Sequence, residues 1–371
     1  MSEDSSPDKW VYKLHTRVKH EILENYLLKW IPSLGKYNAL SSGTRGRVCY
    51  FDGFAGRGEY EDGSPGSPLI AIRVADRLIE QKVIDEVTCV FTERDEENFA
   101  NLQNVIKREK TNYPRVNVLE PIKGSFADVV SNIMEKVGAR LAPSFFFIDP
   151  FGFKGVPFGL VKDILSIPRT EIFLTFMYRD INRFLALTNL QSVFDELFGT
   201  SEWKQIVKNS ASERERENSL RELYVNQLKQ EAKARFTWAY RVCEDQKTQT
   251  LYYLIHATNH FKGLKYMKEV MYKQSGKGLF CFLGADDITS KAQMRLFDED
   301  IDSLKKFLLH SFSGRTITYD QILEESYMDT PLIDTHYRQA LQELRKGKKI
   351  NVKPVTSKKA GLQGRDEIIF P

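Results

Sequence analysis

The feature that most constrains this chain is a regular alternation of short apolar runs with helical patterns. Residues 47–51 (RVCYF), 87–92 (VTCVFT), 144–148 (SFFFI) and 171–177 (EIFLTFM) read as buried strands, and residues 116–119 as a shorter one. Between them, residues 67–80, 95–109, 126–138 and 158–166 read as helices. The first of these opens with Ser67 as N-cap and Pro68 at the first helical position. Strand and helix in strict alternation predict an α/β fold: a doubly wound, Rossmann-like parallel sheet with helices on both faces. Ligands on such sheets bind beyond the carboxyl ends of the strands, where strand order reverses.

The remaining chain divides around that core. Residues 16–31 predict an amphipathic helix that carries Val18, Ile22, Tyr26 and Ile31 near one face, followed by Pro32, Gly35 and a loop to Gly46. Residues 183–235 are helical and heavily charged, and read as an inserted helical subdomain. Residues 236–243 and 250–257 (strands), 262–273 (helix) and 278–283 (strand) complete the sheet. The expected segments are a helical N-terminal region over 1–46, a cofactor-binding core over 47–182, the insertion over 183–235, completion of the sheet over 236–299 and a separate tail over 300–371.

Three loops carry chemistry. The first strand ends in Asp52 and enters a turn with three glycines, Phe51-Asp52-Gly53-Phe54-Ala55-Gly56-Arg57-Gly58. Glycine permits positive φ and lets a backbone approach a ligand without a Cβ in the way. Such a turn after a first strand holds nucleotide-like cofactors in Rossmann-like proteins. Glu93 follows the second strand and is able to accept hydrogen bonds from ribose hydroxyls. The third loop is Ile148-Asp149-Pro150-Phe151-Gly152-Phe153, where a strand-end carboxylate stands beside aromatics. Asp149 suits a hydrogen bond from an exocyclic amine, and Phe151 or Phe153 suits stacking on a flat ring, as in enzymes that act on a flipped base. Plainer readings stay open for each: a glycine turn without ligand, a solvated glutamate, and phenylalanines folded into the core.

Other chemistries lack their signatures. There is no GxSxG elbow, no GxxxxGK[ST] loop and no HExxH among six histidines, and no acidic ligand stands beside His256 and His260 in sequence. The four cysteines (Cys49, Cys89, Cys243 and Cys281) sit in apolar runs without CxxC spacing, which fits buried reduced thiols rather than a zinc site. The polar, acidic start is unlike a signal peptide, and no apolar run approaches membrane-spanning length, so the expected location is cytoplasmic. Formal net charge is only +4, so any surface for a polyanion has to be local.

Taken in order, Lys19 with Ile22-Leu23, Tyr26-Leu27 and Trp30, then FDGFAGRGEY at 51–60, GSPLIA at 66–71, IDPFG at 148–152 and YYLIHATNHFKGLKYM at 252–267 resemble the three-Cys-motif partner (TcmP) proteins. More distantly the chain resembles the RlmJ-type ribosomal RNA adenine-N6 methyltransferases. Lys19-His20, Asp52 to Tyr60, Pro65 to Ala71, Glu93 and Asp149-Pro150 stand where those enzymes carry their motifs. The resemblance implies a class I methyltransferase fold with S-adenosylmethionine as cofactor. It implies cofactor contacts from Lys19, Asp52, Phe54, Gly56, Gly58, Ser67, Glu93 and Ser125, with Gly56 and Gly58 under the methionine part, Glu93 on the ribose, and Lys19 and Ser67 near the carboxylate. A cation on the first helix is a reasonable partner for that carboxylate. Asp149, Pro150 and Phe151 take the catalytic positions. Phe151-Gly152 departs from the DPPY pattern, which puts adenine-N6 chemistry in question, and Gly124-Ser125 replaces an aspartate near the cofactor's adenine.

In the tail, residues 316–326 and 334–346 predict helices, and 348–354 and 365–370 a strand hairpin, together a winged helix. Its basic residues Arg345, Lys346, Lys348, Lys349, Lys353, Lys358, Lys359 and Arg365 suit a phosphate backbone, or simply a solvated face. The leading expectation is a methyltransferase acting on an amine of a nucleic-acid base, RNA or DNA. The alternatives are a non-catalytic S-adenosylmethionine-binding partner of a three-Cys-motif protein, and a winged-helix DNA-binding regulator.

Overall fold

The computed structural model describes residues 11–42, 46–137, 141–244, 249–274, 281–282, 296–355 and 361–371. They divide into two compact units, one reaching Met267 and the other built from the residues after it, apart from a short return at Phe282–Gly284.

The first unit is built on one sheet. Its strands are β1 (Arg47–Asp52), β2 (Glu86–Glu93), β3 (Asn117–Val118), β4 (Ile122–Lys123), β5 (Ser144–Ile148), β6 (Thr170–Phe176), β7 (Phe236–Cys243), β8 (Thr250–Thr258) and β9 (Cys281–Phe282). Their order is β3-β2-β1-β5-β6-β8-β7-β9, with β4 also paired to β2. β1, β2, β5 and β6 run parallel, and β8 is inserted antiparallel between β6 and β7. A parallel sheet with one antiparallel strand in that position is the class I methyltransferase arrangement. The order reverses between β1 and β5, which makes the carboxyl ends of those two strands the expected ligand crevice.

Helices α1 (Leu14–Ser42), α2 (Ser67–Glu80), α3 (Glu96–Asn112), α4 (Phe126–Val137) and α5 (Phe158–Ser166) cover the sheet. The strands are buried on both sides, with all five residues of β5 and all seven of β6 buried. That is why they read as unbroken apolar runs. α1 runs eleven residues past the expected end at Ile31 and contains Pro32. An interior proline costs roughly 3 kcal/mol. Upstream of it Ile22, Leu23, Tyr26, Leu27, Trp30 and Ile31 are buried, each contributing about 1.5–3 kcal/mol, so the proline persists as a local defect. The Ser33 hydroxyl gives the Trp30 carbonyl a donor at 2.7 Å. Ser67 begins α2 but does not cap it: Gly66 is the N-cap, and Pro68 follows in the first turn.

Between β6 and β7 lie α6 (Tyr178–Phe184), α7 (Gln191–Phe198), α8 (Trp203–Asn209) and α9 (Glu213–Gln230). Their buried faces (Phe194, Phe198, Trp203, Leu220, Tyr224) share one apolar cluster with Phe146, Ile148, Leu174 and Phe176 of the sheet. The insertion is therefore a covering layer of the core rather than an independent subdomain.

The last sheet-covering helix, α10 (Phe261–Gln274), passes from the first unit into the second. The second unit then contains α11 (Leu296–Ser311), β10 (Thr316–Thr318), α12 (Tyr319–Ser326), α13 (Asp334–Lys346), β11 (Asn351–Lys353) and β12 (Glu367–Ile369). The strand order β10-β12-β11 closes a small antiparallel sheet. This is a winged helix, with two differences from the sequence expectation. Residues 316–318 are a strand, because Ile317 pairs with Ile368 and is buried against the helices. The helix starts three residues later, at Tyr319, behind a capping box of Thr318 and Gln321. α11 begins before the expected boundary at residue 300 and was not among the helices expected from sequence. Lys358 and Lys359 lie outside the described residues. Among the described residues, no helix is long and apolar enough to cross a membrane.

Candidate active site

Three strand ends converge. Asp52 closes β1, Glu93 closes β2, and Asp149 follows β5. In the ladder Asp52 stands between Phe91 of β2 and Phe147 of β5. The turn after β1 is tied to both neighbours: Gly53 N donates to the Phe147 carbonyl (3.0 Å), and Ala55 N to the Thr92 carbonyl (2.9 Å). The Thr92 hydroxyl returns a bond to the Gly53 carbonyl at 2.7 Å. The loop is thus fixed on both sides across the switch point.

The glycines of that loop have different jobs. Gly56 has a φ of 60° and its N–H donates to Glu93 Oε2 at 2.9 Å. Gly58 has a φ of 86°, and a Cβ there would stand 3.1 Å from Leu102 and Val105 of α3. Gly58 therefore serves backbone conformation and packing against α3. Gly53 is more constrained still, since a Cβ would lie 2.4 Å from the Phe126 ring. Phe54, half-buried, packs on Phe126 with ring centroids 5.5 Å apart.

Two carboxylates are buried here. Asp52 accepts from Phe54 N (3.2 Å) and Tyr50 Oη (3.4 Å), and from the Ser67 hydroxyl. Those bonds favour the ionised form, but burial outweighs them and pushes the carboxyl up to about 7, with Asp149 adding repulsion. Glu93 accepts from Gly56 N and, through its other oxygen, from Asp95 N at 2.7 Å. Burial raises its pKa as well, against the lowering from backbone N–H donors. A carboxylate held by backbone at both oxygens points in one direction, and each oxygen keeps a lone pair for a ligand hydroxyl.

The structure brings Lys19 of α1 to Asp149, where Nζ bonds Oδ2. The lysine side chain is 9% exposed and the aspartate's 20%. Lys19 Nζ also lies 5.4 Å from the centre of the Tyr252 ring. His20, beside it, is buried and held neutral, its pKa driven down to about 3 by burial and by the Lys19 charge. Its Nδ1 has no hydrogen-bond partner. The rings of Tyr12, His20 and Tyr60 pack together at centroid distances of 4.8–5.8 Å. Tyr12, Tyr60 and Tyr252 received no role from sequence. The YYLIHATNH stretch was the only signal for Tyr252, and nothing marked Tyr12.

The other predicted residues are placed as follows. Ser67 faces Asp52. Ser125 Oγ donates to Asp128 Oδ2 (2.6 Å) and accepts from Asp128 N (3.2 Å), a cap at the start of α4. Gly124 N donates to the Glu93 carbonyl, so Ser125 stands close to the end of β2. Phe151 is 55% exposed, whereas Phe153 is buried and stacks on Phe194 at 4.9 Å. Phe153 is therefore core and not a ring platform. Gly152, with φ 90°, makes the turn between them. His256 lies in β8, buried within hydrogen-bond distance of Tyr26 (3.2 Å) and Glu171 (3.0 Å). Glu171 is thus the acidic neighbour that sequence spacing hid. Tyr26 Oη also donates to Glu171, which pins α1 to β6 and β8.

A model of the GMT-like wHTH domain matches residues 284–357. No curated protein matches the chain. Among solved structures the chain is similar to an O-methyltransferase from Bacillus cereus in complex with SAH (15% identical, 70% of this chain and 84% of that one, TM-score 0.33). It is also similar to protein LPL1258 from Legionella pneumophila (13%, 69% and 92%, TM-score 0.38) and to the plantazolicin methyltransferase BpumL in complex with SAH (12%, 69% and 92%, TM-score 0.30). The strand order itself, rather than these likenesses, defines the fold.

Proposed function

We propose that this chain is an S-adenosylmethionine-dependent methyltransferase acting on an amine of a nucleic-acid base, RNA or DNA. The observation that carries the reading is the charge balance at the switch point. Asp52, Glu93 and Asp149 converge there, and Lys19 bonds Asp149. A crevice lined by three carboxyl groups, two of them buried, suits a ligand that carries its own positive centres, and S-adenosylmethionine has both a sulfonium and an ammonium. Glu93, aimed by Gly56 and Asp95, is suited to the ribose hydroxyls, and Asp52 and Ser67 to the amino-acid end. Phe54, Gly56, Gly58 and Ser125 would act mainly by shaping the loop walls. The cofactor supplies an activated methyl group, so the protein's contribution is alignment. Asp149 and the Pro150 carbonyl would hold the acceptor amine, Phe151 would stack on its ring, and Lys19 would fix the Asp149 carboxylate. The winged helix, with Arg345, Lys346, Lys348 and Lys349 exposed at the end of α13, supports a nucleic-acid partner.

One observation favours a second reading. The Lys19–Asp149 bond engages the carboxylate that an acceptor amine needs, as expected of a non-catalytic S-adenosylmethionine-binding partner of a three-Cys-motif protein. Calorimetric titration with S-adenosylmethionine and its demethylated product, beside Glu93→Ala, tests cofactor binding. Transfer of labelled methyl to RNA and DNA then separates the readings. Saturable binding that weakens in the variant, with transfer abolished by Asp149→Asn, is the expected result. Binding without transfer to any nucleic acid favours the partner reading, and no binding by the folded protein refutes both.

A further inference from the structure

The rim of the crevice carries a surface that neither the cofactor site nor the winged helix uses. Phe151 is an exposed large hydrophobic side chain at the carboxyl ends of the strands. Gly152, next to it, turns the chain toward α6: Asp180 Oδ2 lies 3.9 Å from where a Gly152 Cβ would stand. Arg179 and Arg183 are exposed on α6, one helical turn apart and so on one face. Arg179 reaches Asp180 only at 3.8 Å, a contact worth little on a surface. Lys154, three residues past Phe151, is exposed too. Among the described residues neither Lys154 nor Arg183 has an acidic partner. An exposed aromatic on a rim that also carries three exposed cations suits a base face with phosphates beside it. A base offers that face only when it is unpaired, since duplex stacking hides it.

We propose that Phe151, Lys154, Arg179 and Arg183 form a contact strip for an unpaired stretch of nucleic acid, which lays the acceptor base across the crevice mouth. This rests on the reading above that the acceptor is a base. It assigns selection of single strands to the catalytic unit itself.

The test uses the full chain with the demethylated product bound, and labelled twelve-nucleotide single strands of RNA and of DNA beside a blunt duplex. Fluorescence anisotropy is followed across a salt series. Lys154→Glu/Arg183→Glu is expected to weaken single-strand binding at least tenfold and to lower the log–log salt slope by about 1.4, which is roughly 0.7 for each of two phosphates. Cofactor affinity, read by calorimetry, stays unchanged. Phe151→Ala is expected to remove the emission change of a fluorescent base analogue and weaken binding roughly tenfold. Unchanged affinity in the double variant overturns the strip, as does a loss of duplex binding in that variant equal to its loss of single-strand binding. Loss of all nucleic-acid binding while cofactor binds overturns the strip and the base-acceptor reading together. Strip-dependent binding without methyl transfer upholds the strip and sinks that reading alone.

Discussion

Replacing Asp52 by asparagine gives the sharpest test of the site's electrostatics. In the folded protein burial holds this carboxyl at about 7, against an ordinary value of 3.8. A group with a raised folded pKa binds its proton more tightly when folded. The stability that this proton contributes is complete below the ordinary pKa and is lost as pH rises through the folded one. Each pH unit between the two values costs about 1.4 kcal/mol. Between pH 5 and pH 8, Asp52 therefore removes about 2.5 kcal/mol of stability. Asparagine has the same shape, still accepts from Phe54 N, and does not titrate. Urea unfolding of both proteins at pH 5, 6, 7 and 8 measures the difference between them, which cancels every other titrating group. That difference is expected to shift by about 2.5 kcal/mol in favour of Asp52→Asn over the range. A cationic ligand stabilises the ionised carboxylate, so wild-type affinity for S-adenosylmethionine should rise from pH 6 to pH 8 and the variant's stay level. Parallel stability curves, flat to within about 0.5 kcal/mol, would refute the assignment of Asp52 as an acid whose pKa burial raises.

Further expectations follow from other contacts. Lys19→Met leaves Asp149 without its cation in a mostly buried place, and should lower stability by about 1–3 kcal/mol in denaturant titration and reduce turnover. Adding Asp149→Asn should recover most of the stability and none of the turnover. Glu93→Gln sets an amide N–H₂ against the Gly56 or Asp95 N–H, and calorimetry should show cofactor affinity at least tenfold weaker. Gly53→Ala drives a methyl into the Phe126 ring and should cost about 1–3 kcal/mol in thermal unfolding, without changing the charges of the site. Thr318→Ala removes the cap of α12 and should destabilise the winged helix by about 1 kcal/mol, which local amide exchange would detect.

The strands were legible because their burial on both faces leaves an unmixed apolar signature: β5 lies where SFFFI placed it, and Asp149 immediately beyond. The ends of strands β1 and β2 were equally plain, and with them Asp52 and Glu93. The reading went wrong where tertiary contacts override local rules. Pro32 looked like a stop but sits in a helix anchored by buried side chains. Ser67 looked like a cap but its hydroxyl serves Asp52. Thr316–Thr318 looked helical, yet strand pairing with Glu367–Ile369 decides it. Pairing partners distant in sequence stayed invisible for the same reason. No spacing rule brings Lys19 to Asp149, or Tyr26 to Glu171 and His256.

The anchoring of α1 has a consequence in time. The contact between Tyr26 and His256 spans 230 positions of chain. Lys19 lies two helical turns before Tyr26 and reaches Asp149 from the same helix. During synthesis the turn after β1, and then Glu93, are available early, while the helix that carries Lys19 waits for Asp149 and Glu171 and gains its last buried partner, His256, only when β8 has left the ribosome. The buried anchor that holds Lys19 beside Asp149 is therefore complete only when nearly all of the first unit has been made.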